Sequence, residues 1–186
     1  MRVFVTLFCL CSVGVAMAAR ADDYNVDPAH SSVAFKISHL GLSWTQGRFN
    51  TFDGAFRVDR DPAKCAIVLN IQTDSVDSGN AKRDEHLRSP DFFNTKQFPL
   101  MTFKSTAVTT VEGGYEITGD LTLHGVTKAV VFAVKGGGSA EFPQGVQRTG
   151  YTANFVLKRS EFGMNTMDGP VGDEVYVSVS FEGIKR

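Results

Sequence analysis

Regular alternation of apolar and polar residues runs through most of this chain and constrains its fold more than any other feature. In the segment 32–39, SVAFKISH, large apolar residues occupy every second position. A period of two places these side chains on one face of a β-strand. Only a stretch from about Asn80 to Arg88 has the pattern of a helix, with Asp77 or Ser78 as its cap. The sequence therefore predicts an all-β fold with one short helix.

Eight segments are predicted to be strands. They are residues 32–39, 49–58, Cys65–Thr73, Pro99–Ala107, Gly114–Leu123, Lys128–Lys135, Gly150–Lys158 and Glu174–Ile184. Since Phe49 and Phe52 lie an odd number of residues apart, a β-bulge in the two residues between them is needed to keep both on one face. Turns rich in Gly, Pro and Asp separate the strands, and Gly136–Gly138 is predicted to be one of these turns. Such short connections favour an eight-stranded antiparallel barrel, although a two-sheet sandwich also fits the alternation.

Residues 1–21 are predicted to be a secretory signal peptide. They contain an apolar run from Val3 to Ala19 and small residues in A-x-A spacing. Cleavage after Ala18 or after Ala21 fits this pattern, and the acidic residues that follow Ala21 favour the second site. The apolar run is shorter than the roughly 20 residues that a membrane span requires. We therefore predict an exported protein without stable membrane insertion, whose single domain covers residues 22–186.

Loss of this segment changes both the charge and the cysteine content. It takes Arg2 and Arg20 from the 19 basic residues, so that 17 face 20 acidic residues and the formal net charge is −3. Neither nucleic acid nor an anionic membrane surface is an expected partner of such a chain. Cys9 and Cys11 leave as well, and Cys65 alone cannot form an intramolecular disulfide.

No pattern in the sequence points to catalysis. The four histidines, His30, His39, His86 and His124, lack the H-x-H or H-x-x-x-H spacing of a metal site. The sequence contains no G-x-S-x-G motif, no Cys/His arrangement and no phosphate-binding glycine loop. Asp84 and Glu85 are adjacent, and adjacent side chains on a helix diverge by about 100°, which makes a poor acid/base pair. We predict a protein that is not an enzyme and has neither a metal nor a cofactor.

The segment from Asp74 to Phe98, between the third and fourth predicted strands, is longer than a simple turn. Segments of this kind often form lids or binding loops. Its helix carries little apolar surface, so Phe92, Phe93 and Phe98 are expected to anchor it on the barrel.

The residues alone leave two states of the barrel interior open. An eight-stranded barrel is wide enough either to be filled by its own side chains or to hold one small ligand. Many phenylalanines fall in inward register, which favours a filled aromatic core. Gly54 and Gly119 also fall in inward register, where they could leave space for a cavity.

A resemblance to a known family rests on five segments that occur in the family's order. These are YNVDPAHSSVAFKISHLGLS, GRFNTFDGAF, RDEHLRSPDFFNTKQFPLMTFKST, ITGDLTLHGVTKAVVF and LKRSEFGM. Together they resemble the YceI-like family of bacterial periplasmic proteins over essentially the whole chain after the signal peptide. The resemblance implies a lipocalin-like, eight-stranded antiparallel barrel around a hydrophobic tunnel that binds a polyisoprenoid or another long amphipathic lipid. It also implies a periplasmic location and a homodimer as a candidate assembly.

With this resemblance, the aromatic residues become candidates for the wall of a tunnel. The predicted lining comprises Phe35, Ile37, Phe49, Phe52, Phe56, Phe92, Phe93, Phe103, Phe132, Phe155 and Phe162. Phe92 and Phe93 are expected to close its mouth. Arg83 and His86 are candidates for a polar or phosphorylated head group, because cationic side chains pair with phosphate oxygens. An equal alternative is that Arg83 pairs with a nearby carboxylate and fixes the helix.

A different class of function remains open from the sequence. A filled barrel would be an interaction or stress-response protein of the envelope, docking a partner through exposed loops such as Asn165–Asp173. The surrounding segment SEFGMNTMDGPVGDEV could equally close the other end of the barrel from the lid. A continuous internal void would favour lipid binding, and a filled interior would favour the partner.

Overall fold

The structure is a computed structural model that describes residues 21–186. Residues 1–20, with most of the predicted signal peptide, lie outside the described part. Eleven strands and one α-helix form in the described chain. They are β1 (Asp22–Val26), β2 (Ser32–His39), β3 (Ser43–Phe49), β4 (Phe52–Val58), β5 (Ala66–Gln72), β6 (Val76–Asp77), α1 (Ala81–Arg88), β7 (Leu100–Val111), β8 (Gly114–Leu123), β9 (Val126–Glu141), β10 (Gln147–Lys158) and β11 (Val171–Lys185).

The strands close into one antiparallel barrel. Their order is β1-β4-β5-β7-β8-β9-β10-β11-β2-β3-β6, and β1 also pairs with β11, which completes the ring. In this ring β1 and β2 occupy one strand position, β3 and β4 a second, and β5 and β6 a third, so that eight positions result. The predicted eight-stranded antiparallel barrel is confirmed, and the alternative of two separate sheets is wrong.

The predicted bulge after Phe49 is a complete interruption of the strand. Phe49 pairs with Val33 and Val76, whereas Phe52 pairs with Ile71. The neighbouring strand is broken at the same level by a 3-10 turn at Thr73–Ser75. The strand and its neighbour are interrupted at the same level, so a break in both accommodates the odd spacing between Phe49 and Phe52. The prediction of a bulge in one strand is wrong.

The predicted turn at Gly136–Gly138 is also wrong, because these residues lie inside β9. Gly138 pairs with Gly150 and Gly136 with Tyr151, so Gly137 is an extra residue in the ladder. Gly136 and Gly137 have φ angles of 127° and 92°, and a Cβ on Gly136 would lie 2.5 Å from the carbonyl oxygen of Gly150. The glycines therefore form a bulge that bends a long strand, and the hairpin follows after Glu141.

The helix α1 begins one residue after its cap, Asn80, whose side chain accepts a hydrogen bond from the backbone N–H of Arg83 at 3.1 Å. The predicted caps Asp77 and Ser78 are wrong. Asp77 accepts from the backbone N–H of Gly79 at 2.9 Å, and the Ser78 N–H donates to the buried carboxylate of Asp84 at 2.8 Å. These contacts fix the turn that leads into the helix.

The two longest connections between barrel strands lie at one end of the barrel, termed the lid end. It carries residues 73–99 with α1, the turn 124–125, the loop 159–170 and the β2–β3 hairpin. The ring of Phe98 contacts the ring of His124 at 4.8 Å, and His124 Nδ1 lies 3.1 Å from the carbonyl oxygen of Phe162. The segment around Asn165–Asp173 thus closes the same end as the lid, so the expectation that it closes the other end is wrong.

Candidate functional site

An apolar cavity lies inside the barrel, between the lid end and its middle. Its volume is about 170 Å³, well above what one buried water requires. The side chains that line it are apolar apart from Arg159. The interior is therefore open space rather than a filled core, and an apolar cavity of this kind favours an apolar occupant over water.

Most of the predicted lining residues surround this cavity. They are Phe35, Ile37, Phe92, Phe93, Phe103, Phe132, Phe155 and Phe162. The rings of Phe132 and Phe155 stack at 4.5 Å, and Phe103 contacts Phe132 at 5.2 Å. Their contacts with a ligand stay a prediction.

Phe49, Phe52 and Phe56 are buried but lie outside the cavity wall. Phe49 lies behind the wall, where its ring contacts those of Phe35 at 5.8 Å and Phe93 at 5.4 Å. Phe56 lines a second, smaller pocket of about 40 Å³, where its ring contacts those of Tyr24 at 5.0 Å and Phe181 at 5.2 Å. Inward register places a side chain in the barrel but does not say whether neighbouring rings stand between it and the void.

The space expected at Gly119 is also filled. A Cβ there would lie 2.4 Å from the ring of Phe103 and 2.6 Å from the carbonyl oxygen of Lys104. The glycine therefore admits the ring of Phe103 instead of leaving a void.

Aliphatic residues form a large part of the wall, and the predicted list missed them. They include Leu69, Ile71, Met101, Leu121, Val130, Leu157, Val175, Val177 and Val179. The sequence could have predicted them, because Val175, Val177 and Val179 occupy every second position of a predicted strand. Apart from Ile37, the predicted lining contained only aromatic residues.

Hydrogen bonds from Arg88 tie α1 to the beginning of the lid segment, next to β6, which pairs with β3 of the barrel. Arg88 Nε donates to the carbonyl of Asp74 at 2.7 Å and its Nη2 to that of Val76 at 2.9 Å. Phe92 and Phe93 then enter the cavity wall directly after the helix. The lid end is closed by apolar side chains on a segment anchored through its backbone.

The two head-group candidates do not line the cavity. Arg83 donates from Nε to the hydroxyl of Ser78 and from Nη2 to its carbonyl, each at 2.7 Å. His86 Nε2 lies 2.9 Å from a carboxylate oxygen of Asp91. Both side chains thus fix the lid, but the partner of Arg83 is Ser78 rather than the carboxylate that the alternative named.

Arg159 is a buried cation at the lid end that the sequence prediction missed. Its exposure is 5%, and its hydrogen bonds go to backbone carbonyls of the loop 164–172. Nε donates to Gly172 at 2.9 Å, Nη1 to Met164 at 2.6 Å and Thr166 at 2.8 Å, and Nη2 to Val171 at 3.0 Å. The guanidinium therefore fixes the loop that covers this side of the cavity. The sequence did contain a signal for its burial, because alternation places Arg159 on the same inward face as Phe155 and Leu157.

One cluster away from the cavity brings metal-ligating atoms together in the described chain. Ligand atoms of Asp27, His30 and Glu182 lie within 4.8 Å of one another. Arg148 Nη1 donates to carboxylate oxygens of both Asp27 and Glu182 at 2.7 Å, so a cationic group already neutralises them. The hydrogen bonds from Arg148 and then His30 lower the pKa of Asp27 to about 2. This is the arrangement of an ion-pair network.

No helix in residues 21–186 is long and apolar enough to span a membrane.

Comparison with known proteins assigns the family. A family model described as YceI-like domain matches residues 24–183. The chain belongs to the YceI-like family. The protein YceI of Escherichia coli O17:K52:H18 is 43% identical to this YceI-like chain over 178 residues, which cover 94% of the chain and 92% of that protein.

Solved structures share the YceI-like barrel. Burkholderia cenocepacia BcnA superimposes with a TM-score of 0.77 at 25% identity, over 84% of this chain and 98% of BcnA. A polyisoprenoid binding domain from Saccharophagus degradans, implicated in plant cell wall breakdown, gives a TM-score of 0.64 at 16% identity, over 88% of this chain and 98% of that domain. At that identity the second likeness concerns the fold alone.

Proposed function

We propose that this YceI-like protein binds a long-chain isoprenoid, such as a prenyl quinone or a prenyl phosphate, in the cavity of its barrel. The observation that carries the proposal is the cavity itself, whose lining residues are all apolar apart from Arg159. The polyisoprenoid binding domain from Saccharophagus degradans, which shares the fold, supports the same ligand class.

The shape of the wall suits a flexible unsaturated chain. Rings such as the stacked Phe132 and Phe155 alternate along the wall with aliphatic side chains such as Val177, the neighbour of Phe155 across the β10–β11 ladder. Aromatic faces and aliphatic groups offer dispersion contacts but no directional hydrogen bond. Chain length and branching would therefore decide selectivity within the cavity.

Energetics favour reversible carriage over permanent storage. Burial of each methylene from water gains about 0.8 kcal/mol, so a long chain would exceed the affinity ceiling of roughly 18–21 kcal/mol. A lipid of this class comes from a membrane, where its chain is already out of water. Net transfer into the cavity is then near zero, and the ligand can be released. Transport, storage or sensing in the periplasm all fit this behaviour, with residues 1–21 as the export signal.

Catalysis is not part of the proposal. At the lid end Arg88 and Arg159 donate hydrogen bonds to backbone carbonyls, and the wall, as formed by the described residues, presents no nucleophile or acid/base pair to the cavity. The competing function, a filled barrel that docks an envelope partner, lacks the filled interior that it requires.

A titration tests the ligand class. The delipidated protein is titrated with a prenyl quinone, a prenyl phosphate and a saturated fatty acid, and binding is followed by calorimetry. Saturable binding of one or both prenyl lipids is expected. Failure of all prenyl lipids to bind, with the fold intact by circular dichroism, would overturn the proposal.

The head-group role of Arg83 and His86 has its own test. The double variant Arg83→Ala, His86→Ala is compared with the original chain in titrations with a prenyl phosphate and the matching prenyl alcohol. If these side chains bind a phosphate, affinity falls for the phosphate and not for the alcohol. If the variant binds the prenyl phosphate as tightly as the original chain does, both residues are assigned to lid structure.

A further inference from the structure

Exposed apolar side chains gather beside the cavity at the lid end. The β2–β3 hairpin presents Leu40, Leu42 and Trp44, which are 56%, 84% and 49% exposed. Met167, 43% exposed, lies in the adjoining loop, and the two segments are joined by a hydrogen bond from the Leu40 N–H to the Pro170 carbonyl at 2.8 Å. These four apolar residues are termed the rim patch.

Two members of the rim patch occupy backbone positions that apolar residues rarely adopt. Leu40 has a φ of 54° and Met167 a φ of 57°. Positive φ favours Gly, Asn or Asp, because a larger side chain is strained there. Neither side chain gains burial in exchange for this conformation. A turn selected for stability alone would carry a polar residue at both positions.

The rim patch adjoins the wall of the cavity. β2 carries the wall residue Ile37 two residues before its end at His39, and His39 pairs with the wall residue Val171. The patch therefore lies where a ligand would pass between the barrel and its source.

We infer that the rim patch docks the lid end onto the surface of a phospholipid bilayer. The inference rests on the proposed lipid ligand, whose source is a membrane. Trp44 contacts Tyr176 edge-on at 5.1 Å, and the ammonium of Lys36 stands 4.9 Å from the centre of the Trp44 ring. Aromatic rings beside a cation match the interface of a bilayer, where rings lie at the head-group level and cations meet phosphate.

The small size of the rim patch favours a bilayer over a protein partner. A stable protein interface buries about 800 Å² on each side and engages some 20–30 residues. Four projecting side chains on a hairpin and a loop suit shallow insertion instead, in which binding scales with the apolar area that enters the lipid. A second copy of the chain would have to cover a far larger surface.

Trp44 provides a built-in reporter, since it is the single tryptophan of the sequence. The full chain, expressed and purified from an exporting host, is mixed with uncharged vesicles of phosphatidylethanolamine and phosphatidylcholine. Docking is expected to shift the Trp44 emission to shorter wavelength and to bring the protein down with sedimented vesicles. Because insertion is mainly apolar, binding is expected to persist at high salt.

The decisive variant is Leu40→Asn, Leu42→Ser. Asparagine accepts positive φ, so the fold is expected to remain intact. Vesicle partitioning is expected to fall at least about tenfold through loss of two apolar side chains. Phe142→Ser removes a 74% exposed ring from the hairpin at the opposite end and serves as the matched control, with partitioning unchanged.

Three results would overturn the docking inference: no vesicle binding by the original chain, equal partitioning by the Leu40→Asn, Leu42→Ser variant, or an equal loss in Phe142→Ser. If the original chain does not bind vesicles but forms a dimer, and this dimer dissociates in the rim-patch variant, the patch is instead a contact with a second copy of the chain. Failure of prenyl-lipid titration with vesicle docking retained would overturn the ligand proposal and leave docking supported.

Discussion

The ring of Phe155 stacks on the ring of Phe132 with centroids 4.5 Å apart and planes 14° apart, and both rings form part of the cavity wall. They lie on β10 and β9, which are adjacent in the barrel. The stack bridges two adjacent strands, and each ring covers one face of the other. A chain of methyl-branched isoprene units can lie against the ring surface that remains exposed to the cavity, which ties the strand register to the proposed ligand.

Filling the cavity should remove the ligand without unfolding the barrel. Ala153 is buried on the wall and pairs with Val179, another wall residue. In Ala153→Phe the added ring occupies the void, so we expect the amount of bound lipid per protein to fall at least about tenfold, which corresponds to about 1.4 kcal/mol. Mass spectrometry of the purified variant measures it.

The same substitution on the outer face provides the control. Ala133 is exposed on β9, and Ala133→Phe is expected to keep the lipid content of the original chain. If Ala153→Phe retains full lipid content while its fold is intact, the ligand does not occupy this cavity.

Gly119 should be intolerant of a methyl group. In Gly119→Ala the new Cβ meets the ring of Phe103 and the carbonyl of Lys104, so we expect a loss of about 1–3 kcal/mol in the free energy of unfolding. Gly138→Ala is the control, because a Cβ there meets nothing within 4 Å. Urea unfolding compares the two, and equal stabilities would show that the Phe103 ring adapts freely.

Arg159 should contribute mainly to the order of the loop 164–172. Arg159→Met keeps the apolar stem and removes the donors, which leaves buried carbonyls unpaired, so we expect a loss of about 2–4 kcal/mol. Hydrogen exchange is expected to accelerate in this loop first. Lys158 is an exposed neighbour, and Lys158→Met should change neither the free energy of unfolding nor the hydrogen exchange of the loop. A similar effect in both variants would refute the role of the guanidinium.

Acid should weaken the barrel partly through Asp27. Its folded pKa of about 2 is below the ordinary value of 3.8, so its contribution is present above about pH 4 and is lost as the pH falls through about 2. The side chain is 11% exposed, and with solvent screening the contribution is about 1 kcal/mol. Asp27→Asn should be less stable than the original chain near neutral pH, with the difference closing towards pH 2. A difference independent of pH in urea unfolding would contradict this.

Period-two alternation predicted the barrel because the inward face of each strand carries mostly apolar residues and the outward face mostly polar ones. It did not predict β1, since DDYNV is short and largely polar, or the continuation of β9 through three glycines. Turn glycines and bulge glycines share a sequence pattern, and only the pairing partner distinguishes them.

The site was predictable in outline and not in detail. The phenylalanines on the wall followed from register, whereas register did not predict that Phe56 lines a second, smaller pocket, where its ring stacks on Tyr24 at 5.0 Å. The role of Arg159 depends on carbonyls whose direction is set by backbone geometry. Interactions of this kind leave no mark on the pattern of apolar residues.

The most direct test of the central claim is the lipid content of the protein itself. The chain is purified under native conditions without detergent, extracted with organic solvent and analysed by mass spectrometry, with Ala153→Phe processed in parallel. The account predicts an isoprenoid lipid in the extract of the original chain and little or none in that of the variant. An extract of the original chain without any long-chain lipid, or equal lipid in both extracts, would contradict it.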